Sequence, residues 1–388
     1  MFKIQTLNSI QPVWQTILTE GAYQVGSDID NMDGIIVRSA DMHELAVPES
    51  LLCVGRAGAG VNNIPVEEYA KKGIVVFNTP GANANAVKEL VILGLLLSGR
   101  DVISGIRWAD TLQGKGADVP KLVEKGKSQF VGPEIQGKTL GVIGLGGIGG
   151  LVANTAVSLG MDVLGYDPFI SVDNAWRLKR EIKRVTEIDV LLSQADFVSI
   201  HVPLTKDTKE SFGAKQFASL KQGAVILNFS RGEIVDNTAL LQALAENKVR
   251  RYITDFPNDT LIGKENLVCI PHLGASTPES ENNCVTMVAN ELDAYLQSGS
   301  ITNSVNYPDC PLPPVSGKRL TVLHANIPNM VGQITSELAK ASINIASMVN
   351  KSRGLFAYTV LDLDQDVPSS TLDTLNALPD VYRVRLLG

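Results

Sequence analysis

The stretch Thr139-Leu140-Gly141-Val142-Ile143-Gly144-Leu145-Gly146-Gly147-Ile148-Gly149 decides how the chain is read. Leu140 to Ile143 is an apolar run of strand length, and after the glycines Leu151 to Leu159 takes up a helical pattern. A second apolar run, Val163 to Tyr166, then delivers Asp167, 23 residues after Gly144. In this order each part has a task. Gly144 permits the tight turn, Gly146 lets the backbone approach a pyrophosphate, and Gly149 lets the helix pack closely on its strand. Gly147 and Ile148 belong to the same loop, and the first turn of the helix that follows offers unpaired N–H groups and a partial positive charge to phosphate. Asp167 can accept from two ribose hydroxyls and would repel a 2′-phosphate. The full context predicts an NAD site; the alternative is a glycine-rich turn that holds no nucleotide.

With 388 residues the chain has room for two or three domains. Hydrophobic residues at 44% and charged residues at 19% describe an ordinary globular protein. A net charge of −7 offers no basic field to nucleic acid or to an anionic membrane. Cys53, Cys269, Cys284 and Cys310 are scattered without a C-x-x-C pair and read as reduced thiols of a cytoplasmic protein. The opening Met1 to Asn8 shows no cleavage signal, and the longest apolar run, Leu90 to Leu97, is too short to span a bilayer. Four histidines without clustered ligands predict no metal site.

The expected fold class is α/β. Gly34–Arg38, Leu51–Gly55 and Ile74–Phe77 read as strands of a small lobe with a parallel sheet, whose polar loops follow each strand. Val87 to Trp108 has one continuous helical pattern. Strands near 140–144, 163–167, 197–202, 225–230, 252–256 and 267–271 match a doubly wound, Rossmann-type sheet. Ser276 and Thr277 open a further helix reaching about Gln297. Pro308, Pro311, Pro313 and Pro314 mark a stiff linker, and beyond it strand, helix, strand, strand, helix, strand predicts a ferredoxin-like α+β domain. The expected domains are a discontinuous, flavodoxin-like substrate domain (1–95 and 276–305), an NAD-binding domain (96–275), a linker (306–318) and a C-terminal domain (319–388).

Arg231 follows the strand Val225–Ser230. There a guanidinium can grip a carboxylate through two parallel hydrogen bonds and polarise an adjacent carbonyl; otherwise it closes a turn. His272 ends the strand Leu267–Pro271 and suits the base that takes a hydroxyl proton as hydride leaves. His201 also ends a strand and is its rival. The run Arg177 to Arg184 could meet a 2′-phosphate, but its interleaved Glu181 and Ile182 favour a solvated helix face.

Several segments together resemble the D-isomer-specific 2-hydroxyacid dehydrogenases: Ile36–Ser39, Val54–Asn63, Asn78–Pro80, the 144–149 loop with Asp167, Asn228–Asp236 and Pro271–Ser276. Within that family the resemblance is to the branch that oxidises D-3-phosphoglycerate to 3-phosphohydroxypyruvate, the first step of L-serine biosynthesis. It implies that Arg231 binds the substrate carboxylate and that His272 is the acid/base. It implies further cofactor contacts from Val202, Pro203, Phe229, Ser230, Arg231, Asp255, His272, Gly274 and Ala275, with Asp255 on the nicotinamide carboxamide. Arg38, Ser39, Arg56, Gly58 and Asn78 are implied to hold substrate. The chain departs from the pattern at Gly147 (often arginine), at Ala59 (often threonine), and at Thr254–Thr260, where the family carries a Glu-Glu-Pro segment. In that last segment Asp259 can stand in as the carboxylate partner of His272, or His272 relies on something else. Another 2-hydroxy acid as substrate, and an NAD-sensing binding protein on the same fold, are the competing functional readings.

The last 70 residues resemble an ACT regulatory domain. His324, Asn326 and Asn344 match the positions that in serine-inhibited relatives hold L-serine between two paired ACT domains. The resemblance thus implies L-serine as effector and a homo-oligomer, a dimer or tetramer.

Overall fold

The computed structural model describes residues 1–388 as two compact units, Ala84–Ser280 and Met1–Asn83 with Glu281–Gly388. The family of strands is numbered through the chain: β1 Phe2–Leu7, β2 Tyr23–Gly26, β3 Gly34–Val37, β4 Cys53–Arg56, β5 Val75–Asn78, β6 Thr139–Ile143, β7 Asp162–Tyr166, β8 Lys183–Arg184, β9 Phe197–Ile200, β10 Ala224–Asn228, β11 Val249–Thr254, β12 Leu267–Cys269, β13 Lys318–Ala325, β14 Ile345–Arg353, β15 Phe356–Leu363 and β16 Val381–Leu387. No helix is long and apolar enough to cross a membrane.

The Ala84–Ser280 unit carries a seven-stranded parallel sheet ordered β12-β11-β10-β9-β6-β7-β8. The central strands are buried along nearly their whole length, as a parallel sheet covered on both faces requires. Strand order reverses at β6, so the crevice at its carboxyl end is the place where such sheets take ligands. The helix Gly147–Ser158 leaves that point and buries Val152, Ala153 and Ala156; these short side chains bring it close to the sheet.

Two expectations are corrected in this unit. The run Val87–Trp108 forms two helices, Ala84–Gly99 and Val102–Asp110. The break is fixed by Arg251, which donates to Leu97 O and Arg100 O and pairs with Asp101 at 3.3 Å. Arg177 to Arg184 is solvated as expected but is not a helix; it turns into the two-residue edge strand β8. Neither β8 nor, in the other unit, β1 and β2 was expected from pattern.

The other unit contains a five-stranded parallel sheet ordered β2-β1-β3-β4-β5 and a four-stranded antiparallel sheet ordered β14-β15-β13-β16. The helix Pro278–Ser298 starts at Thr277, whose Oγ1 accepts from Ser280 N at 3.1 Å. Its apolar stripe, with Val285, Val288, Leu292 and Tyr295, is fully buried against the parallel sheet. A methyl group at Gly55 of β4 would come within 2.1 Å of Val288, so the helix lies directly on that strand.

Alternation in β13 and β15 covers the antiparallel sheet on both faces. Leu320, Val322, Leu361 and Leu363 pack on the helices Met330–Lys340 and Ser369–Asn376. Leu323, Phe356, Tyr358 and Val360 instead join the core built on Ile4, Phe77 and Tyr295. Arg385 donates to Tyr295 O and Leu296 O in the last turn of the helix Pro278–Ser298, and Tyr358 Oη to Gly299 O at 2.7 Å. The proline-rich stretch read as a linker is packed into this same unit. Tyr307 and Cys310 are buried, Tyr307 Oη donates to Ala70 O at 2.6 Å, and Cys310 pairs with Ile301.

Candidate active site

Gly144 leaves β6 at φ +89°, where a side chain would also strike His201 O at 2.6 Å. Nothing lies within 4 Å of the point where a Cβ on Gly146 would sit, so backbone is open to a ligand there. A Cβ on Gly149 would meet Gly144 O at 1.9 Å. Asp167, just past β7, spans the loop: one oxygen accepts from Leu145 N at 2.8 Å and the other from Phe169 N at 2.9 Å. Each carboxylate oxygen keeps a lone pair for a ribose hydroxyl. Gly147 and Ile148 open the helix, and Val202 packs 3.2 Å from the Gly144 position. Pro203 is exposed, with its carbonyl accepting from Thr208 Oγ1.

His201 lies beneath this loop. Its Nε2 pairs with Ser199 Oγ at 2.8 Å, and burial pushes its pKa down to about 4. Such a group is a poor proton acceptor near neutrality.

The carboxyl ends of β10, β11 and β12 converge around one ring. Asn228, fully buried, accepts from Ser230 N and Oγ and donates to Arg231 O and Tyr252 Oη, which fixes the backbone that carries Arg231. Phe229 is buried against Gly94. The Arg231 guanidinium lies 6.0 Å from the Phe256 ring centroid, and the His272 ring packs on the same phenyl at 4.7 Å. The guanidinium and the imidazole thus both lie against the Phe256 ring. Beside it, Asp255 is 1% exposed, and its Oδ1 has no hydrogen-bond partner. Burial raises the Asp255 pKa, opposed by the charges of His272 and Arg231. A Cβ on Gly274 would lie 3.3 Å from its other oxygen, and Ala275 follows in the chain.

An orphaned buried carboxylate oxygen calls for an N–H donor. The carboxamide of a nicotinamide supplies one, and with the open Gly146 backbone and the Asp167 carboxylate this set fits NAD.

Asp259 does not pair with His272. It is exposed, and no carboxylate lies within 4.0 Å of either His272 nitrogen. The cause is local: Asn258 accepts from Leu261 N and Ile262 N, and that turn carries Asp259 to solvent. The imidazole packs against Phe256 instead.

In the other unit the loops after β3, β4 and β5 carry the remaining residues. Arg38 Nη1 pairs with Glu281 Oε1 at 2.5 Å, and Arg38 O accepts from Arg56 Nε at 3.1 Å. Gly58 has φ +150°, and a Cβ there would lie 1.9 Å from Arg56 Nη1, so the guanidinium occupies the space a side chain would fill. Asn78 donates to Ala59 O at 2.6 Å, while Ser39 N donates to Asn8 Oδ1. Pattern reasoning missed Asn228, Phe256 and Glu281. The first two stand next to recognised residues, and Glu281 continues the buried stripe 285, 288, 292 of its helix.

In the antiparallel sheet His324 is 2% exposed, its ring nitrogens held by Ala325 O and Thr359 Oγ1, both at 2.8 Å. Asn326 donates to Gly354 O at 3.0 Å. Asn344 bonds to Asp364 at the opposite end of the sheet, where Ile345 pairs with Leu363. One chain does not bring the three together.

Comparison with known proteins places these features. Residues 103–274 match the D-isomer specific 2-hydroxyacid dehydrogenase, NAD binding domain. The chain is 36% identical over 332 residues to D-3-phosphoglycerate dehydrogenase of Methanocaldococcus jannaschii, covering 83% of this chain but only 60% of that protein. It is 34% identical to the Escherichia coli D-3-phosphoglycerate dehydrogenase over 87% of this chain and 82% of the relative. The crystal structure of NAD+-bound 3-phosphoglycerate dehydrogenase from Entamoeba histolytica superposes with a TM-score of 0.60 at 28% identity, over 79% of this chain and 98% of the other. Taken with the parallel sheet and its glycine turn, these likenesses show that the chain belongs to the D-isomer-specific 2-hydroxyacid dehydrogenases.

Proposed function

We propose that the chain oxidises D-3-phosphoglycerate to 3-phosphohydroxypyruvate with NAD, the entry step of L-serine biosynthesis. The observation that carries this reading is the group around Phe256: a guanidinium, an imidazole and a buried carboxylate oxygen without a partner, all at the carboxyl ends of strands in the sheet that bears the glycine turn. NAD, when bound, supplies the hydride acceptor. Arg231 grips the substrate carboxylate through two N–H donors and draws charge toward the neighbouring C2 oxygen. His272 takes the C2 hydroxyl proton at a ring nitrogen, its ring packed at a tilt against Phe256. Asp255 accepts from the carboxamide and fixes which ring face meets the substrate, and Asp167 selects the free ribose over its 2′-phosphate. Arg38 and Arg56, with Ser39, Gly58 and Asn78, bind the far, phosphorylated end.

In this reading residues 1–95 and 276–305 form the substrate domain, 96–275 the NAD domain, and 319–388 an ACT-type regulatory domain. His324 and Asn326 at one end of the antiparallel sheet and Asn344 at the other would meet across a two-fold axis, so L-serine binding requires a second copy of the chain. Those positions support the regulatory reading, and the likeness to D-3-phosphoglycerate dehydrogenases supports the reaction. NADH formation from D-3-phosphoglycerate, followed with and without L-serine, tests both parts. Absence of turnover with NAD binding intact would leave a nucleotide-binding protein.

A further inference from the structure

Glu281 lies one turn before the buried stripe Val285, Val288, Leu292 on the inner side of the helix Pro278–Ser298. A carboxylate there is not a casual surface charge. It pairs with Arg38 at 2.5 Å, and the two side chains are only 24% and 34% exposed. The buried Cys284 thiol, next on that face, has Thr79, Arg56, Arg38 and Glu281 as its polar and charged neighbours, so these groups form one cluster. Asn283 Nδ2 donates to Ala82 O and ties the same helical turn to the loop after β5. Arg38 has no other side-chain partner in the molecule.

We propose that Glu281 is an internal competitor for the anionic end of the substrate: it occupies Arg38 until the substrate anion displaces it, and so sets affinity and selectivity at that loop. This rests on the reading of the Arg38 and Arg56 loops as substrate-binding. An incoming phosphate must take over the Nη1 donor and meet the repulsion of the carboxylate it displaces. Removing that charge without changing its shape relieves both costs.

The test uses the full chain, with inorganic phosphate and D-3-phosphoglycerate as probes. Glu281→Gln is expected to bind inorganic phosphate roughly three- to tenfold more tightly by calorimetry, the scale of one partly exposed ion pair. The KM for D-3-phosphoglycerate should fall by a similar factor, with the change carried by KM rather than kcat. Glu281→Asp, which keeps the charge, should stay near the parent affinity, and Glu281→Ser provides a second neutral variant should Gln impair folding. Equal or weaker phosphate binding in the neutral variants overturns the proposal and makes Glu281 a mere orienter of Arg38. Tighter phosphate binding without D-3-phosphoglycerate turnover in the parent would keep the competitor and discard the substrate; turnover without tightening would do the reverse.

Discussion

The glycine turn of the seven-stranded sheet and the arginine loops of the five-stranded sheet both sit at strand ends, yet they are built differently. The turn is local: residues 144–149 and Asp167 lie within one strand–helix–strand unit, Gly144 and Gly149 answer contacts that a Cβ would violate, and Gly146 leaves its backbone open. The arginine loops are assembled from afar, since Arg38 takes its carboxylate from a helix that begins at Pro278. A site fixed by backbone sterics tolerates almost no substitution, whereas a site fixed by charge balance can be tuned by one residue.

That contrast can be broken most severely in the turn. Gly149→Val is expected to lower NAD affinity by about two orders of magnitude or to unfold the unit, because overpacking against a backbone carbonyl costs about 3 kcal/mol; a fluorescence titration that finds parent-like NAD binding would refute the local account. Next in size, Arg231→Ala should reduce kcat/KM by roughly 10²- to 10³-fold, the loss of a charge-assisted bidentate grip, and Arg231→Lys should recover little of it. Asp167→Ser is expected to narrow the preference for NAD over NADP by about tenfold, read from kcat/KM with each cofactor.

A smaller effect separates pH from chemistry. Glu291 is buried, accepts from Asn303 Nδ2 at 2.7 Å, and leaves its other oxygen unpartnered; burial raises its pKa from 4.5 to about 8. The folded chain thus holds a proton there that the unfolded chain releases, so stability falls as pH rises from about 4.5 to about 8. Glu291→Gln should flatten the fall in Tm across that window and leave the variant more stable than the parent at pH 8. Smallest of all, Asp259→Asn should leave the pH–rate profile unmoved, because that carboxylate is exposed and far from any pairing with His272.

The sequence made legible what depends on short-range pattern. The six longer strands of the nucleotide sheet, its glycine turn and the strand-helix alternation of the C-terminal sheet all follow from apolar periodicity and turn residues. It did not reveal β1, β2 or β8. β8 has only two exposed residues, and β1 mixes polar and apolar side chains because it is half-buried. The kink near Arg100 was hidden because its cause, Arg251, lies across the fold. The prolines after Asn306 suggested a spacer, but Tyr307, Cys310 and the carbonyl contact to Arg319 sew that segment to its unit. At the candidate site the chemistry-bearing residues were readable from strand-end positions. Their mutual placement about Phe256, and the absence of a carboxylate on His272, depended on a turn led by Asn258.

The central claim is that His272, held on Phe256 beside Arg231, moves the proton. The most direct measurement is turnover of D-3-phosphoglycerate by His272→Asn, with NAD affinity measured on the same preparation. Expected is a fall in kcat of roughly 10²- to 10⁴-fold with NAD binding retained; turnover within a few-fold of the parent would contradict it.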